Sequence, residues 1–385
     1  MEMMMRELGE IITGNTPSKN NEEFWNSEDI YFIKPDIIAD GEVNEICEAN
    51  EYISEEARKK ARIVSKNAIF ITCIGSIGKI GIAVEGEYAF NQQINVIIPN
   101  KKVQPKYLAY NLLFNKPRLI AVANAPVVPI INKSQFANFT INIDMDTDRQ
   151  AEVVEVLDKL TNVIKLREQE LQLLDNLIKA RFVEMFGDPI KNTKGWEVVT
   201  IGDIVTEVRY GTSKPAVEGG KYPYIRMNNL TSDGHLDLKD LKYIDIPDNE
   251  IEKCVVRKGD VLFNRTNSIE LVGKTAVFDL PDDMVIGGYI IRVRLNERIL
   301  PEVLSQYMNL EALKDILRSM AKGAVNQANI NAQELQDIKV YIPDMGVQTE
   351  FVEIVKQVDK SKVAVQKALD ETQMLFDSLM QKYFM

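Results

Sequence analysis

Gln348-Thr349-Glu350-Phe351-Val352-Glu353-Ile354-Val355-Lys356-Gln357-Val358 opens a run to Phe384 that contains neither proline nor glycine. Along it, positions recur at alternating steps of four and three: Phe351, Val355, Val358, Lys362, Val365, Leu369, Thr372, Phe376, Leu379, Tyr383. A second uninterrupted run, Arg149 to Phe186, carries the same spacing 198 residues earlier: Val153, Leu157, Leu160, Ile164, Arg167, Leu171, Leu174, Ile178, Arg181, Met185. Eight of the ten positions in each series are apolar, counting Tyr383. A period of 3.5 is the seam of a left-handed coiled coil, narrower than the stripe of a helix lying on a globular core. At 1.5 Å per residue, ~37 residues make a rod of roughly 55 Å. Neither seam can be buried alone, and the shared register predicts that the two helices pair antiparallel within one chain, with a globular region at each end. Two unrelated surface helices, or a zipper between two copies, are the alternatives.

Each long run closes a half of the chain, and the halves repeat. Leu8-Gly9-Glu10-Ile11 returns as Ile201-Gly202-Asp203-Ile204, and Tyr31-Phe32-Ile33-Lys34 as Pro223-Tyr224-Ile225-Arg226. Asp40-Gly41 matches Asp233-Gly234, and Val64–Phe70 matches Val256–Leu262. Gly78-Lys79 matches Gly273-Lys274, Ile131-Asn132 matches Ile330-Asn331, and Gln150-Ala151-Glu152 matches Gln348-Thr349-Glu350. The matches keep their order while the offset drifts from about 192 to 199, as loop insertions produce. A period this long is a duplicated domain rather than a solenoid unit. Within each half, strand-and-turn segments such as Ala68–Ile74 and Ile80–Val84 precede a helical stretch (Pro105–Phe114; Pro301–Met320) and then the long helix. The predicted fold class is α+β, with globular regions at 1–147 and 188–346 and long helices at 148–187 and 347–385.

Composition narrows the chemistry. The 385 residues suit two or three domains. Forty-six basic against 57 acidic residues give −11, so no global charge draws the chain to DNA. Each long helix is nearly neutral, which leaves most of the negative charge on the globular regions; a DNA contact there requires a local basic patch, since phosphates act within about 8 Å. The single histidine, His235, excludes sites that need two. Cys47, Cys73 and Cys254 are widely spaced, fit a reducing compartment and exclude a cysteine zinc site. Apolar runs are too short to span a membrane. The start, Met1–Arg6, has no signal-peptide core, and the expectation is a cytoplasmic protein.

Enzyme signatures are mostly absent, a metal-dependent nuclease of scattered carboxylates being the reading left open. Gly273-Lys274-Thr275 ends like a P-loop, but Ser268 stands where its first glycine belongs. What remains are polar loops. Gly75-Ser76-Ile77-Gly78-Lys79 lies between two predicted strands, where glycine amides, Ser76 and Lys79 could meet phosphate; a plain hairpin turn is the alternative. Its counterpart, Asn264-Arg265-Thr266-Asn267-Ser268 ahead of Lys274, is rich in groups that read base edges, as are Asn91, Gln92 and Gln93. Gly14–Lys19, with Thr16, and Gly211–Pro215, with Thr212 and Lys214, are loops in equivalent places. Lys34 and Arg226 (with Asn228 beside it) end apolar runs, and Asn326 and Gln327 sit in an amide-rich segment before a strand. Turn capping and solvated surface charge are the competing readings of all of these. Trp25 and Trp196 read as packing residues.

This order of globular half, long helix, globular half, long helix resembles the specificity (S) subunit of type I restriction–modification systems. The resembling residues are Leu8–Ile11 with Gly14, Thr16 and Pro17; Asn67–Phe70 with Gly75–Lys79; Gly259–Leu262 with Gly273-Lys274; and the terminal helices. Two departures stand out: a glycine-free stretch, Asn267–Val272, replaces Gly-Ser-Ile-Gly, and the opening proline shifts to Pro215. The resemblance implies two target recognition domains, each reading one half of a bipartite, asymmetric site in double-stranded DNA. It implies that the helix pair sets the spacing and docks two methyltransferase (M) subunits, with restriction (R) subunits beyond. It further implies no catalytic residue, cofactor or metal in this chain; S-adenosylmethionine, ATP and magnesium would belong to the partners. A two-headed protein adaptor and a self-contained DNA-modifying enzyme are the alternatives.

Overall fold

The two uninterrupted runs fold as single helices of 40 residues, Thr147–Phe186 and Met345–Phe384, in the computed structural model, which describes residues 1–123, 128–324 and 327–385 (backbone only at 322–324 and 327). The central helix starts two residues before Arg149 because the Asp146 carboxylate accepts from the amides of Asp148 (3.0 Å) and Arg149 (3.2 Å), capping free first-turn donors. It stops at Gly187, whose φ of +86° suits the left-handed residue that closes a helix. None of the ten register positions in either helix is exposed. Leu166, Leu173 and Val363, off the register, are 63%, 67% and 70% exposed.

Two compact units divide the chain, and the division falls inside both long helices: Met1–Arg167 with Ala368–Met385, and Glu168–Lys367. In the first unit a five-stranded sheet runs in the order Gly9–Thr13, Ile94–Pro99, Ile69–Thr72, Ile80–Ala83, Val43–Ile46. A four-stranded sheet follows the order Glu51–Ile53, Ile30–Ile33, Glu87–Phe90, Ile63–Ser65, with Ile30–Ile33 parallel to Glu87–Phe90. The apolar faces of Ile69, Ile71, Ile80 and Ile97 meet Tyr107, Leu108 and Leu112 of the Pro105–Phe114 helix in one core. The start of the central helix and the end of the terminal helix pack on that core: Val153 and Leu157 from one, Phe376, Met380 and Phe384 from the other. Tyr107 meets Phe384 edge-on at 5.2 Å between ring centres. Here Arg167 and Thr372, one polar interruption from each register, meet each other. The Arg167 guanidinium donates to the Thr372 hydroxyl (2.7 Å) and to the Ala368 carbonyl.

The second unit repeats the plan. One sheet runs Val205–Tyr210, Ile290–Leu295, Val261–Asn264, Thr275–Val277; the other runs Lys242–Ile244, Tyr222–Ile225, Met284–Ile286, Val255–Val256, again with its central pair parallel. Phe182 and Phe186 of the central helix clasp Phe351 of the terminal helix at 5.3 and 5.1 Å. The stretch Pro301–Met320 is two helices, Pro301–Asn309 and Glu311–Met320, with Leu310 extended between them. The break frees Asn309, whose side chain donates to the Thr275 carbonyl (2.6 Å) and accepts from the Thr275 amide (3.2 Å).

Buried side-chain amides hold equivalent places in the two units. The Gln150 side chain accepts from the Gln104 amide (2.7 Å) and donates to the carbonyls of Asp144 (2.6 Å) and Lys102 (3.2 Å). Gln348 accepts from the Leu300 amide (2.8 Å) and donates to the carbonyls of Pro343 (2.8 Å) and Arg298 (3.0 Å). Both glutamines are fully buried. Asn132 and Asn331 likewise each cap a short helix in a reciprocal box with Gln135 and Glu334. The sequence repeat is thus a repeat of hydrogen bonds.

Candidate nucleic-acid interface

In the first unit three polar loops converge on one end of the sheets. The amides of Gly14 and Asn15 donate to the carbonyls of Ile94 (3.0 Å) and Phe90 (2.9 Å), laying the opening loop along Asn91–Gln93. A side chain at position 14 would strike the carbonyls of Phe90 and Asn91, so only glycine lets the two strands of backbone approach this closely. The Thr16 hydroxyl then donates to the Gln92 side chain (2.9 Å). The Asn91 side chain bonds the amide and side chain of Gln93 (3.0 Å each), and the Cys73 amide donates to the Gln93 carbonyl (2.8 Å), which joins the Gly75 turn to the group.

Thr16, Gln92 and Gln93 are therefore brought together, with exposed Ser76 on the adjoining turn; Asn91 is a correction, since it is buried and its side chain is spent holding Gln93. The turn's amides are not a vacant anion cradle. Gly75 donates to Pro129 (3.1 Å), Gly78 to the Thr72 carbonyl (2.9 Å) and Lys79 to the Thr72 hydroxyl (3.0 Å). Lys79 turns its ammonium to the Pro35 carbonyl (3.1 Å), and Lys34 pairs with Glu51.

The same frame recurs in the second unit with other side chains. Gly211 donates to Ile290 (3.1 Å), Thr212 to Ile286 (2.9 Å) and Arg265 to Tyr289 (2.9 Å), in the places of Gly14, Asn15 and Cys73. A side chain at position 211 would strike the carbonyls of Ile286 and Gly287. Around this frame Arg265 lies over the ring of Tyr210 (4.9 Å), and Tyr210 and Tyr289 are both nearly half exposed. A guanidinium over an exposed ring suits planar groups, through bidentate donation and stacking.

Several expected contacts in the second unit are corrected by burial. Asn264 is fully buried, its side-chain amide donating to the carbonyls of Thr266 and Tyr289 (3.1 Å each); it holds the loop and presents nothing to a base. Lys274 is buried too, with its ammonium on the Leu230 carbonyl (2.5 Å), and burial pulls its pKa below the ordinary lysine range. Asn267 donates to Asn264 (2.8 Å). Lys214 pairs with Glu250 (2.8 Å) and Arg226 with Asp240 (2.9 Å), while Asn228 is exposed. Asn326 lies outside the described residues, as does the side chain of Gln327, whose backbone pairs in a short strand with Ala324.

Two features escaped sequence reasoning. Tyr210 and Tyr289 carry no local pattern that marks them. The run Arg58-Lys59-Lys60-Ala61-Arg62 does carry one, yet only the fold places it against the opening loop. Among the described residues no cluster of three acidic, cysteine or histidine side chains could hold a metal ion, and no helix is long and apolar enough to cross a membrane.

A family model described as the type I restriction modification DNA specificity domain matches residues 1–176 and again 193–372. The specificity subunit of the type I restriction enzyme EcoKI of Escherichia coli is 24% identical over 77% of this chain and 68% of its own length. A protein of Methanocaldococcus jannaschii named for the same role, MjaX, is 30% identical over 49% of this chain, which spans less than half (45%) of it. The S subunit of a type I restriction–modification system from M. genitalium superposes with a TM-score of 0.59 at 15% identity, over 100% of this chain and 96% of that one; at this identity the likeness is one of fold.

Proposed function

This chain belongs to the type I restriction–modification DNA specificity family, and from that premise we propose that each unit reads one half of a bipartite, asymmetric DNA site. The observation that carries the reading is one backbone frame bearing two sets of side chains. Thr16, Gln92 and Gln93 stand on it in the first unit, and Arg265, Tyr210 and Tyr289 in the second. Amide side chains suit adenine edges and a guanidinium suits guanine, so the two half-sites differ in sequence. Within this reading the 40-residue helices form an antiparallel coiled coil that sets the distance between half-sites, and their outer faces dock two methyltransferase subunits in the cytoplasm. The nonexposed registers, and the meeting of Arg167 with Thr372 and of Phe182 with Phe351, support that pairing. S-adenosylmethionine, and the ATP and magnesium of restriction subunits, belong to the partners, and this chain contributes recognition without catalysis.

The test is to map methylated adenines in a cell producing this chain with its methyltransferase. The expected pattern is two specified segments separated by a fixed unspecified gap. Arg265→Ala should relax one position in one half-site, at a cost of about 1–3 kcal/mol if the guanidinium reads a base edge. A single continuous recognised segment, or methylation without sequence preference, would overturn the proposal.

A further inference from the structure

We infer that residues 58–62 of the first unit are a grip on the phosphate backbone of DNA, and that the second unit has no equivalent. The inference rests on the reading of both units as DNA readers and assigns within it a contact that holds duplex without reading it. Residues 55–62 carry four basic and two acidic side chains in a chain whose net charge is −11. Arg58 takes up the nearby acid, pairing with Glu55 (2.5 Å) and with the carboxylate of Glu87. Lys59, Lys60 and Arg62 are exposed and pair with no carboxylate among the described residues.

Placement gives this charge a direction. The Asn15 side chain donates to the Lys60 carbonyl (2.6 Å) and accepts from the Arg62 amide (3.0 Å), and the Arg62 guanidinium donates to the Thr13 carbonyl. Asn15 adjoins Thr16, which bonds Gln92. A run of cations without carboxylate partners is thus stitched to the rim of the loops that carry the candidate base-reading amides. Ammonium groups are point charges that hold phosphate without demanding a base. Because the net charge is −11 and salt confines attraction to about 8 Å, the attraction has to come from local basic patches, and this one adjoins the readers.

The corresponding segment of the second unit inverts the sign. Residues 247–254 have one lysine against three carboxylates. Glu250 there neutralises Lys214 of the opening loop (2.8 Å), and Glu252 holds Arg257 (2.7 Å). The equivalence is fixed by strand register: Ile63 and Val64 oppose Ala89 and Tyr88, as Val255 and Val256 oppose Val285 and Met284.

The test measures affinity of the full chain, co-purified with its methyltransferase, for its mapped duplex across a range of salt concentrations. The wild type is compared with a Lys59→Gln/Lys60→Gln variant and with Lys59→Arg/Lys60→Arg. The glutamine variant should bind more weakly, by on the order of tenfold per lost contact near 0.1 M salt, and its log–log salt slope should flatten by about 2. The arginine variant should keep the wild-type slope, and methylated positions should be the same in all three. Exposed substitutions leave the fold intact, which a thermal melt checks. An unchanged slope in the glutamine variant, with the wild type binding its site, ends the grip alone. A change of recognised bases makes these lysines readers and ends it too. A wild type with no salt-dependent DNA binding ends the functional reading and the grip together.

Discussion

The first unit sets Cys73 where the second sets Arg265, and Gln93 where the second sets Tyr289, yet each pair is joined by the same amide-to-carbonyl hydrogen bond, at 2.8 and 2.9 Å. Gly78 and Gly273 return to Thr72 and Asn264 by the same bond, at 2.9 Å in both. A main-chain bond is indifferent to the side chain it carries, so loop conformation is held while loop chemistry diverges. The contrast extends to the anchoring of loops on helices. Glu42 reaches Lys165 of the central helix in a single ion pair (2.7 Å) whose lysine is exposed. In the second unit Lys362 sits between Asp175 (2.6 Å) and Asp233 (2.7 Å), and His235 meets Asp359 at 3.1 Å, all in a half-buried cluster. Burial alone would push Asp233 up, but Lys362, Thr231 and His235 hold its pKa at about 2. The Glu42 loop is thus fastened to its helix by one pair and the equivalent loop of the second unit by a network.

The sharpest way to break the equivalence is at the buried glutamines. Gln150→Leu and Gln348→Leu each orphan one amide and two carbonyls, and each should cost about 3 kcal/mol or more. Hydrogen exchange should show the loss in the unit that holds the substituted residue; a loss from only one of the two variants would mean that the frames are not the same device. Next in size is the anchoring contrast. Lys362→Met leaves Asp175 and Asp233 facing each other and should cost about 2 kcal/mol, whereas Lys165→Met should cost no more than about 0.5 kcal/mol. Equal losses in chemical denaturation would erase the distinction between network and surface pair.

The smallest effect concerns Lys314. Burial pushes its pKa down to about 7, its ammonium bonding the Gly273 carbonyl (2.5 Å) and Asn309 (2.8 Å). Arg118 reaches Asn115 in the first unit (2.6 Å) from an exposed position. Above pH 7 the unfolded chain keeps the lysine proton while the folded unit sheds it, so raising the pH favours the fold until the ordinary lysine value is reached. From pH 7 to 8 the second unit should gain about 1 kcal/mol. Lys314→Met should flatten that rise, and a rise that persists in the variant would assign it to another group. Trp25 and Trp196, one in each unit and the only tryptophans, let fluorescence follow the units separately after Trp→Phe exchange of the other.

The long helices were legible because their burial obeys a local rule: a position is inside or outside according to its place in a repeat of three and four residues. All twenty register positions are sheltered for that reason, including the charged Arg167, Arg181 and Lys362. The duplication was legible because turn glycines, caps and the buried glutamines recur in order. Side-chain roles in the loops were far less so. Asn264 and Asn91 look like exposed loop amides in sequence, yet both are buried, because strands that return from elsewhere in the chain cover them. Arg292 on a sheet strand gives no sign that it lies fully buried, with its guanidinium on Glu207 (2.6 Å) and the Val255 carbonyl. The basic run at 58–62 was visible as charge but masked by the acidic total, and only tertiary structure sets it beside Asn15.

At Gly14 and Gly211 the passing carbonyls leave room for a hydrogen atom and nothing larger. These two positions act as fixed points for divergence. Residues on either side are free to be exchanged, inserted or lost, as the displacement from Pro17 to Pro215 illustrates, whereas the glycine has one permitted identity. Loops of unequal length can therefore be brought into register on a single residue even where no neighbouring letter agrees, and new loop chemistries can arise around it without relearning how the loop folds.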